Sequence, residues 1–328
     1  MNSHPLQFSH DLQDTSPSTR IGLSRAGVTR SAKAIPLGFG GSEHYMDATV
    51  ECVVDLDADH KGVHMSRFEE EVNEAIDAVF SGGAVVIEAL AEQIARRVVD
   101  RQGAIRGMVT IHARYPVEKH TPVTGIATQE IYGLIGTAGA RAGSSRRAVG
   151  VSAQGMNACP CAQGLMREQA EAALAADGFS PDEIGRIVAR VPIATHNQRA
   201  RGTLLVGCPD RRNVPADALI EIVEDGMSSE IYELLKRPDE LYVVDKAHRR
   251  PRFVEDSVRD MIAGVIARFP ELPGNAFVSA HQENFETIHT HDVVAERHGL
   301  LGDMRAEVAG SPHAQPHLTL TDWLDGPA

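Results

Sequence analysis

Two cysteines separated by a single residue, Cys159 and Cys161, lie upstream of His196 in the amino-acid sequence. A Cys-x-Cys pair is too closely spaced for an easy disulfide, which favours metal or thiolate chemistry. Thiolate and imidazole are both good ligands for zinc and iron, so the two segments could share one ion. The same motif could also be a pair of small buried residues at a turn fixed by Pro160, and the spacing alone leaves both interpretations open.

A second group of ligand-type side chains lies within residues 283–291, which contain Glu286, His289 and His291. Glu286 and His289 would share one face of a helix, whereas His289 and His291 would share one face of a strand. A charged surface loop would contain the same residue types. Glu230, in a segment that we predict to be helical, is a further carboxylate candidate, although a solvated helix position is the more common reason for a single Glu.

The length and composition indicate one large or two medium-sized cores, and two is the expected number. The chain has 328 residues, 42% of them hydrophobic, and no apolar run that approaches the length of a membrane span. The N-terminal residues lack the features of a signal peptide, so we expect a cytoplasmic protein without a membrane partner. Its four cysteines are too few and too scattered for a disulfide framework, which fits a reducing compartment.

The net charge of −13 argues against a nucleic-acid partner but permits a local basic pocket for a small anion. Arg67 follows Ser66, the predicted N-cap of a helix, and backbone N–H groups at such an end favour an anion. Lys236 precedes Pro238, where we predict that a helix ends; the helix dipole alone explains a cation there unless a phosphate is bound. The absence of a Gly-rich phosphate loop disfavours a kinase or a Rossmann dehydrogenase.

The apolar periodicity predicts antiparallel strands with helices packed on one face, which is an α+β architecture. Residues 1–20 are polar and predict a flexible arm. In the first half we predict strands at 46–56, 105–117 and 125–135, a helix capped by Ser66, a helix at 85–100, and a break of the pattern at the Gly- and Ser-rich residues 136–145.

The second half repeats this order loosely, which is compatible with an internal duplication. We predict strands at 148–154, 202–208 and 276–282, and helices at 217–236 and 253–269. A helical pair is inserted between the first two of these strands, and Ser180 with Glu183 marks the start of its second helix. The predicted organisation is an arm at 1–20, a first module at 21–140, and a second module at 141–328 with the helical insertion at 164–190.

Several of these segments, in this order, resemble the metal-dependent GTP cyclohydrolases of bacterial type IB and archaeal type IV. The resemblance covers the chain from residue 20 to 295, and it rests on residues 64–68, 155–163, 196–199, 230–232 with 235–240, 253–256 with 258–260, and 283–291. It implies a tunnelling fold, or T-fold, with two such modules per chain. It also implies self-association, as a homodimer or a homotetramer with active sites between subunits.

The resemblance implies a role for each candidate residue. A divalent metal ion, Fe²⁺, Mn²⁺ or Zn²⁺, is expected to activate the water that attacks C8 of the guanine of GTP. The implied metal ligands are Cys159, His196, Glu286 and His289. Catalytic roles, which include proton transfers during ring opening and loss of formate, are implied for Cys159, Cys161, Glu230, Glu286 and His291.

Substrate binding is implied for Arg67, Arg199, Lys236 and Asp245. The three cations are candidates for holding the triphosphate of GTP. Asp245 stands where type IB enzymes have a guanine-anchoring Glu, and a shorter carboxylate can still accept two hydrogen bonds. The main expected product is 7,8-dihydroneopterin triphosphate for folate and pterin biosynthesis. Because the helical insertion and residues 155–163 are closer to type IV, 7,8-dihydroneopterin 2′,3′-cyclic phosphate is the alternative.

The sequence is also compatible with two other classes of protein. A structural or metal-storing zinc protein would keep the thiols without turnover, and it would bind zinc through four closed ligand positions. A related T-fold enzyme that acts on another purine or pterin would use a similar set of side chains. Release of formate from GTP separates the first hypothesis from both.

Overall fold

The computed structural model describes residues 13, 15–39, 42–80, 86–311 and 316–326, so most of the predicted arm at 1–20 lies outside the described residues. The strands are β1 (Leu23–Phe39), β2 (Ser42–Leu56), β3 (Arg106–His120), β4 (Ala127–Arg141), β5 (Ser144–Ala158), β6 (Asn197–Gly207), β7 (Ser229–Glu230), β8 (Phe277–Asn284) and β9 (Val293–Leu300). The helices are α1 (Met65–Phe80), α2 (Ile87–Gln102), α3 (Pro160–Ala176), α4 (Pro181–Arg190), α5 (Ala216–Gly226), α6 (Arg237–Arg249), α7 (Val254–Arg268), α8 (Leu301–Val308) and α9 (Leu320–Leu324).

The chain forms two compact units. The first consists of Met1–Ala113, Ile135–Ala148 and Thr321–Ala328, and the second of Arg114–Leu134 and Val149–Leu320. The long strands β3, β4 and β5 therefore each contribute residues to both units.

In the first unit the strands are hydrogen-bonded in the order β1-β2-β3-β4-β5. β1 and β3 both run antiparallel to β2, which places Ile35 opposite Met46 and Val50 opposite Ile111. These four side chains are at most 2% exposed. Helix α1 packs against β1 and α2 against β2, so alternate strand residues form one side of the core.

Helix α1 begins at Met65, so Ser66 is already helical and the prediction that it caps this helix was wrong. The predicted apolar stripe is confirmed, because Phe68 and Val72 are fully buried. The start of the helix differs by only two residues, which is the usual precision of an N-cap predicted from sequence.

The predicted break at residues 136–145 was also wrong, because β4 continues to Arg141 and β5 begins at Ser144. The turn is confined to the two residues between them, where Gly143 has a φ of 79°. Gly136 instead allows close packing: a Cβ on it would lie 2.7 Å from the backbone of Ile87. Glycine here marks contact with helix α2 and not a loop.

In the second unit the strands are hydrogen-bonded in the order β3-β4-β5-β6-β8-β9, with β7 paired to β5. β8 runs antiparallel to both β6 and β9. Helix α7 packs on β8 and β9, and α5 packs on β6 and on α7. The side chains of Leu204, Leu219, Met261 and Phe277 are fully buried between these elements. Antiparallel strands covered by helices confirm the predicted α+β class.

Two helices, α3 and α4, lie where the sequence predicted a helical pair. Cys159 is the N-cap of α3 and Pro160 its first residue, so the Cys-x-Cys pair lies at a helix N-terminus. At the start of α4, the Ser180 N–H and hydroxyl donate to Glu183 at 2.9 and 2.6 Å. These two hydrogen bonds lower the pKa of the Glu183 carboxyl.

The helix predicted over residues 217–236 ends ten residues early, at Gly226, and Glu230 lies in strand β7. Ser228 explains the early end, because its N–H donates to Asn157 Oδ1 at 2.9 Å and its hydroxyl accepts from the Ala158 N–H at 3.1 Å. Such side-chain hydrogen bonds compete with helical ones. The prediction that a helix ends at Pro238 was wrong. Pro238 lies in the first turn of α6.

Asp239 connects the start of α6 to the turn between β3 and β4. It is fully buried, and its carboxylate accepts hydrogen bonds from the Val123, Thr124 and Lys236 N–H groups and from the Thr124 hydroxyl at 2.7–3.0 Å. Burial opposes its charge, but these hydrogen bonds prevail and lower its pKa from 3.8 to about 2.

We expect Asp239→Asn to destabilise the protein near neutral pH and to remove part of its acid sensitivity. A depressed carboxyl pKa contributes stability above the unfolded-state value of about 3.9, and this contribution is lost as the pH falls toward the folded-state value. Urea unfolding measured from acidic to neutral pH tests this, with Asp182→Asn, an exposed residue of α4, as the matched control. Equal pH profiles for Asp239→Asn and wild type would contradict it.

Candidate active site

All four predicted metal ligands line one cavity in the second unit. The cavity has a volume of about 460 Å³. The side chains that matter for its chemistry are Cys159, His196, Gln198, Glu286, His289 and His291. They come from the end of β5, the start of β6 and the segment between β8 and β9. Donors far apart in the sequence therefore converge at one place.

Backbone hydrogen bonds hold two of these segments together. The Cys159 N–H donates to the His196 carbonyl at 3.1 Å, and the Thr195 hydroxyl donates to the Cys159 carbonyl at 2.8 Å. The third segment is fixed to β6 by the Phe285 N–H, which donates to the Arg199 carbonyl at 2.9 Å. The positions of the donor residues are thus set by the main chain.

The side chains of His196 and Glu286 are only 12% and 7% exposed, and His196 Nδ1 lies 3.9 Å from Glu286 Oε2. Gln198 lies between them: its amide donates to Glu286 Oε1 at 3.1 Å and contacts His196 Nδ1 at 3.2 Å. The His289 ring lies 6.3 Å from that of His196 and stacks on that of His291 at 5.3 Å, measured between centroids. Residues 285–292 are neither helical nor extended, so Glu286 and His289 do not share a helix face, and His289 and His291 meet through a loop and not along a strand.

These side chains fit a divalent metal ion in their chemistry. Thiol, imidazole and carboxylate groups on one cavity are donors that zinc, iron and manganese accept. Among the residues that the structure describes, no three His, Cys, Asp or Glu side chains already stand close enough to enclose one ion. An ion held here would therefore need donor side chains of this cavity to lie closer together than they do in this structure.

Two of the predicted catalytic residues lie apart from the lining of this cavity. Cys161 is exposed in the first turn of α3. Glu230, 12% exposed, forms an ion pair with Lys246 and accepts a hydrogen bond from the Tyr232 hydroxyl at 2.9 Å. Burial opposes its charge, but the hydrogen bonds and the charge of Lys246 outweigh burial and lower the pKa of Glu230.

The predicted substrate-binding residues are distributed over several surfaces. Arg199 lines a second cavity of about 910 Å³ in the second unit. It projects from the opposite side of β6 to Gln198, as strand alternation requires. Asp245 is on α6 and pairs with Arg249 at 2.8 Å. Lys236 is the N-cap of α6, and Arg67 lies in the first turn of α1 in the first unit.

A charged cluster lies beside the second cavity. Lys119 Nζ is 2.6 Å from Glu224 Oε1, with side chains 17% and 13% exposed. The Tyr132 hydroxyl donates to the same oxygen at 2.7 Å, and Lys119 Nζ lies 4.3 Å from the centre of the Tyr232 ring. Burial raises the pKa of Glu224 even though Lys119 and Tyr132 favour its charged form.

Comparison with known proteins identifies the family. The family described as Type I GTP cyclohydrolase folE2 matches residues 10–295. This chain belongs to the GTP cyclohydrolase family. It is 38% identical to GTP cyclohydrolase MptA of Methanococcus aeolicus over 305 residues, which are 91% of this chain and 99% of the relative. The protein of the same name from Methanosarcina mazei is 38% identical over 308 residues, covering 91% of this chain and 97% of the relative.

The fold of this GTP cyclohydrolase is also found in an enzyme with little sequence similarity. Uricase from Arthrobacter globiformis superposes with a TM-score of 0.50 at 9% identity, covering 89% of this chain and 96% of the uricase. None of the helices within the described residues is long and apolar enough to cross a bilayer. Membership of the cyclohydrolase family implies GTP as the substrate and a role related to pterins or folate.

Sequence reasoning did not assign a role to Gln198 or to Arg252. Gln198 belongs to a segment that supported the family resemblance, but an amide carries no metal-ligand or acid–base signature. Arg252 lines the first cavity, and its Nε lies 2.9 Å from Asp260 Oδ2. Its position just before α7 places a cation beside the donor residues, which no spacing rule would have revealed.

Proposed function

We propose that this protein catalyses the metal-dependent opening of the guanine imidazole ring of GTP, with release of formate and formation of 7,8-dihydroneopterin triphosphate. One observation carries the proposal: in a chain of the GTP cyclohydrolase family, Cys159, His196, Glu286 and His289 all line one cavity. A structural zinc site would instead hold four ligands in a closed shell.

Cys159, His196, Glu286 and His289 would hold an Fe²⁺, Mn²⁺ or Zn²⁺ ion. When bound, such an ion makes water a better nucleophile at neutral pH. His291, whose ring stacks on His289, and Glu286 would move protons at the guanine ring as its C8–N bonds break. Cys161 and Glu230 are further catalytic candidates. Each would reach such a cavity only if its side chain moves, or if it acts in the cavity of a neighbouring subunit.

The alternative product is 7,8-dihydroneopterin 2′,3′-cyclic phosphate, and the similarity to the proteins named GTP cyclohydrolase MptA is compatible with either product. Both products carry a pterin, so fluorescence after oxidation and release of formate test the ring chemistry in common. Phosphate content and mass then separate them, because the triphosphate keeps all three phosphates. Absence of both formate and pterin with each of the three metals would reject the proposal.

We further propose that the fold is a T-fold with two modules per chain, which assembles as a homodimer or homotetramer. The similarity to uricase and the antiparallel strands covered by helices support this fold. Light scattering after size-exclusion chromatography measures the assembly, and a monomer that turns over GTP would contradict the requirement for a partner.

Asp245→Ala is expected to weaken GTP binding more than it slows chemistry. A hydrogen bond to a charged group contributes about 1.5–3 kcal/mol, so KM should rise roughly ten- to hundredfold with a smaller change in kcat. Steady-state kinetics test this. The control is Glu171→Ala, which removes a carboxylate from a similar i,i+4 pair on α3. An unchanged KM for Asp245→Ala would show that Asp245 serves only its pair with Arg249.

A further inference from the structure

Gln198 is 4% exposed, and its side-chain amide bridges two of the proposed metal ligands. A carboxylate can only accept hydrogen bonds near neutral pH, so the amide nitrogen must face Glu286, which it contacts at 3.1 Å. The amide oxygen must then face His196 Nδ1, at 3.2 Å. The carboxylate of Glu286 thus determines the orientation of the Gln198 amide, with its nitrogen toward Glu286 and its oxygen toward His196.

This orientation has a consequence for His196. An amide oxygen can only accept, so Nδ1 of His196 must carry the hydrogen, and in the neutral ring Nε2 then keeps its lone pair. On the other side of the amide, Oε1 of Glu286 is engaged, and Oε2 receives no hydrogen bond from Gln198.

We propose that Gln198 is a positioning residue that fixes the tautomer of His196 and the orientation of Glu286, so that Nε2 of His196 and Oε2 of Glu286 are the atoms offered to a metal ion. The inference rests on the proposed function. Groups that orient metal ligands through hydrogen bonds commonly change metal affinity or activity about 10–100-fold when they are removed. A glutamine that merely fills space would have no such effect.

Two variants separate the two halves of the bridge. Gln198→Met keeps the length of the side chain and removes both hydrogen bonds. Gln198→Glu keeps an acceptor for His196 Nδ1 but replaces the donor to Glu286 by a like charge. Gln129→Met, on the exposed side of β4, is the control, because Gln129 does not line the first cavity.

The first measurement needs no metal. In full-length, metal-free protein with ¹⁵N-labelled histidines, ¹⁵N–¹H correlation spectra under mildly alkaline conditions report which ring nitrogen carries the hydrogen. The His196→Ala variant identifies the His196 signals. We expect the Nδ1–H form in wild type, in Gln198→Glu and in Gln129→Met, and a shift to the Nε2–H form in Gln198→Met.

The second measurement is the dissociation constant for Co²⁺, used alone as a probe in competition with a chelator. We expect it to rise about 10–100-fold in Gln198→Met and to stay unchanged in Gln129→Met. If wild type binds no Co²⁺, the proposed metal chemistry fails, and the tautomer measurement still decides the role of Gln198.

Three results would overturn the inference. One is an Nε2–H form of His196 in wild type. Another is an unchanged tautomer and unchanged Co²⁺ affinity in Gln198→Met. The third is the Nε2–H form in a folded Gln198→Glu protein. This variant decides the matter if thermal unfolding shows that Gln198→Met does not fold.

Discussion

Replacing Cys159 by Ala is expected to abolish turnover of GTP and to remove most of the bound metal. The thiol lines the cavity and is the only sulfur donor among its described lining residues. Metal activation of water contributes several kcal/mol of transition-state stabilisation, and a loss of about 4 kcal/mol corresponds to roughly a thousandfold in rate. His196→Ala should behave in the same way. Formate release and metal content per chain, measured on the same preparations, test both variants.

Cys161→Ala is the matched comparison for Cys159→Ala. Because Cys161 is exposed in the first turn of α3, we expect its replacement to leave metal content unchanged even if turnover falls. This contrast separates two thiols whose roles the sequence does not distinguish. Full activity in Cys159→Ala would show that the ligand assignment is wrong.

Lys119→Met is expected to destabilise the folded protein by about 3–5 kcal/mol, because it leaves the buried carboxylate of Glu224 without its cation. Denaturant unfolding at neutral pH measures this loss. In the double variant Lys119→Met/Glu224→Gln the uncompensated charge is gone, so most of the stability should return. Arg167→Met provides the control, because it breaks an exposed ion pair with Glu171 worth about 0.3–0.5 kcal/mol.

The loss of stability in Lys119→Met should depend on pH in a definite direction. Burial already raises the pKa of Glu224 in the folded protein, and removal of Lys119 raises it further. The loss of stability in Lys119→Met is therefore largest at pH values above the raised folded-state pKa, and it shrinks as the pH falls toward the unfolded value of about 4.3. A loss independent of pH would mean that packing around the Lys119 stem is responsible.

The sequence predicted most elements of the fold, because alternation and helical stripes are strong signals. It failed where one residue type has two structural uses. Pro238 can follow a helix or lie in its first turn, and only the position of Asp239, whose carboxylate accepts from the Lys236 N–H at 3.0 Å, shows that α6 begins there. Gly136 was interpreted as part of a loop, although its missing side chain allows contact with Ile87.

Prediction of the candidate site was limited in a different way. The family resemblance, carried by the order of the motifs, proposed Cys159, His196, Glu286 and His289 as metal ligands, and the structure places all of them around one cavity. The placement of Glu230 could not be predicted, because it depends on Ser228 ending α5 through hydrogen bonds to distant residues. The bridge formed by Gln198 likewise exists only once β6 and the segment after β8 are side by side.

The backbone link between Cys159 and His196 has a consequence for the choice of ion. Main-chain atoms hold these two positions at a fixed separation, so the template survives when either donor is exchanged. Thiolates favour soft ions and carboxylates favour hard ones. At the proposed metal site, a carboxylate in place of the Cys159 thiol would therefore favour a harder ion, while the backbone that carries the side chain stays as it is.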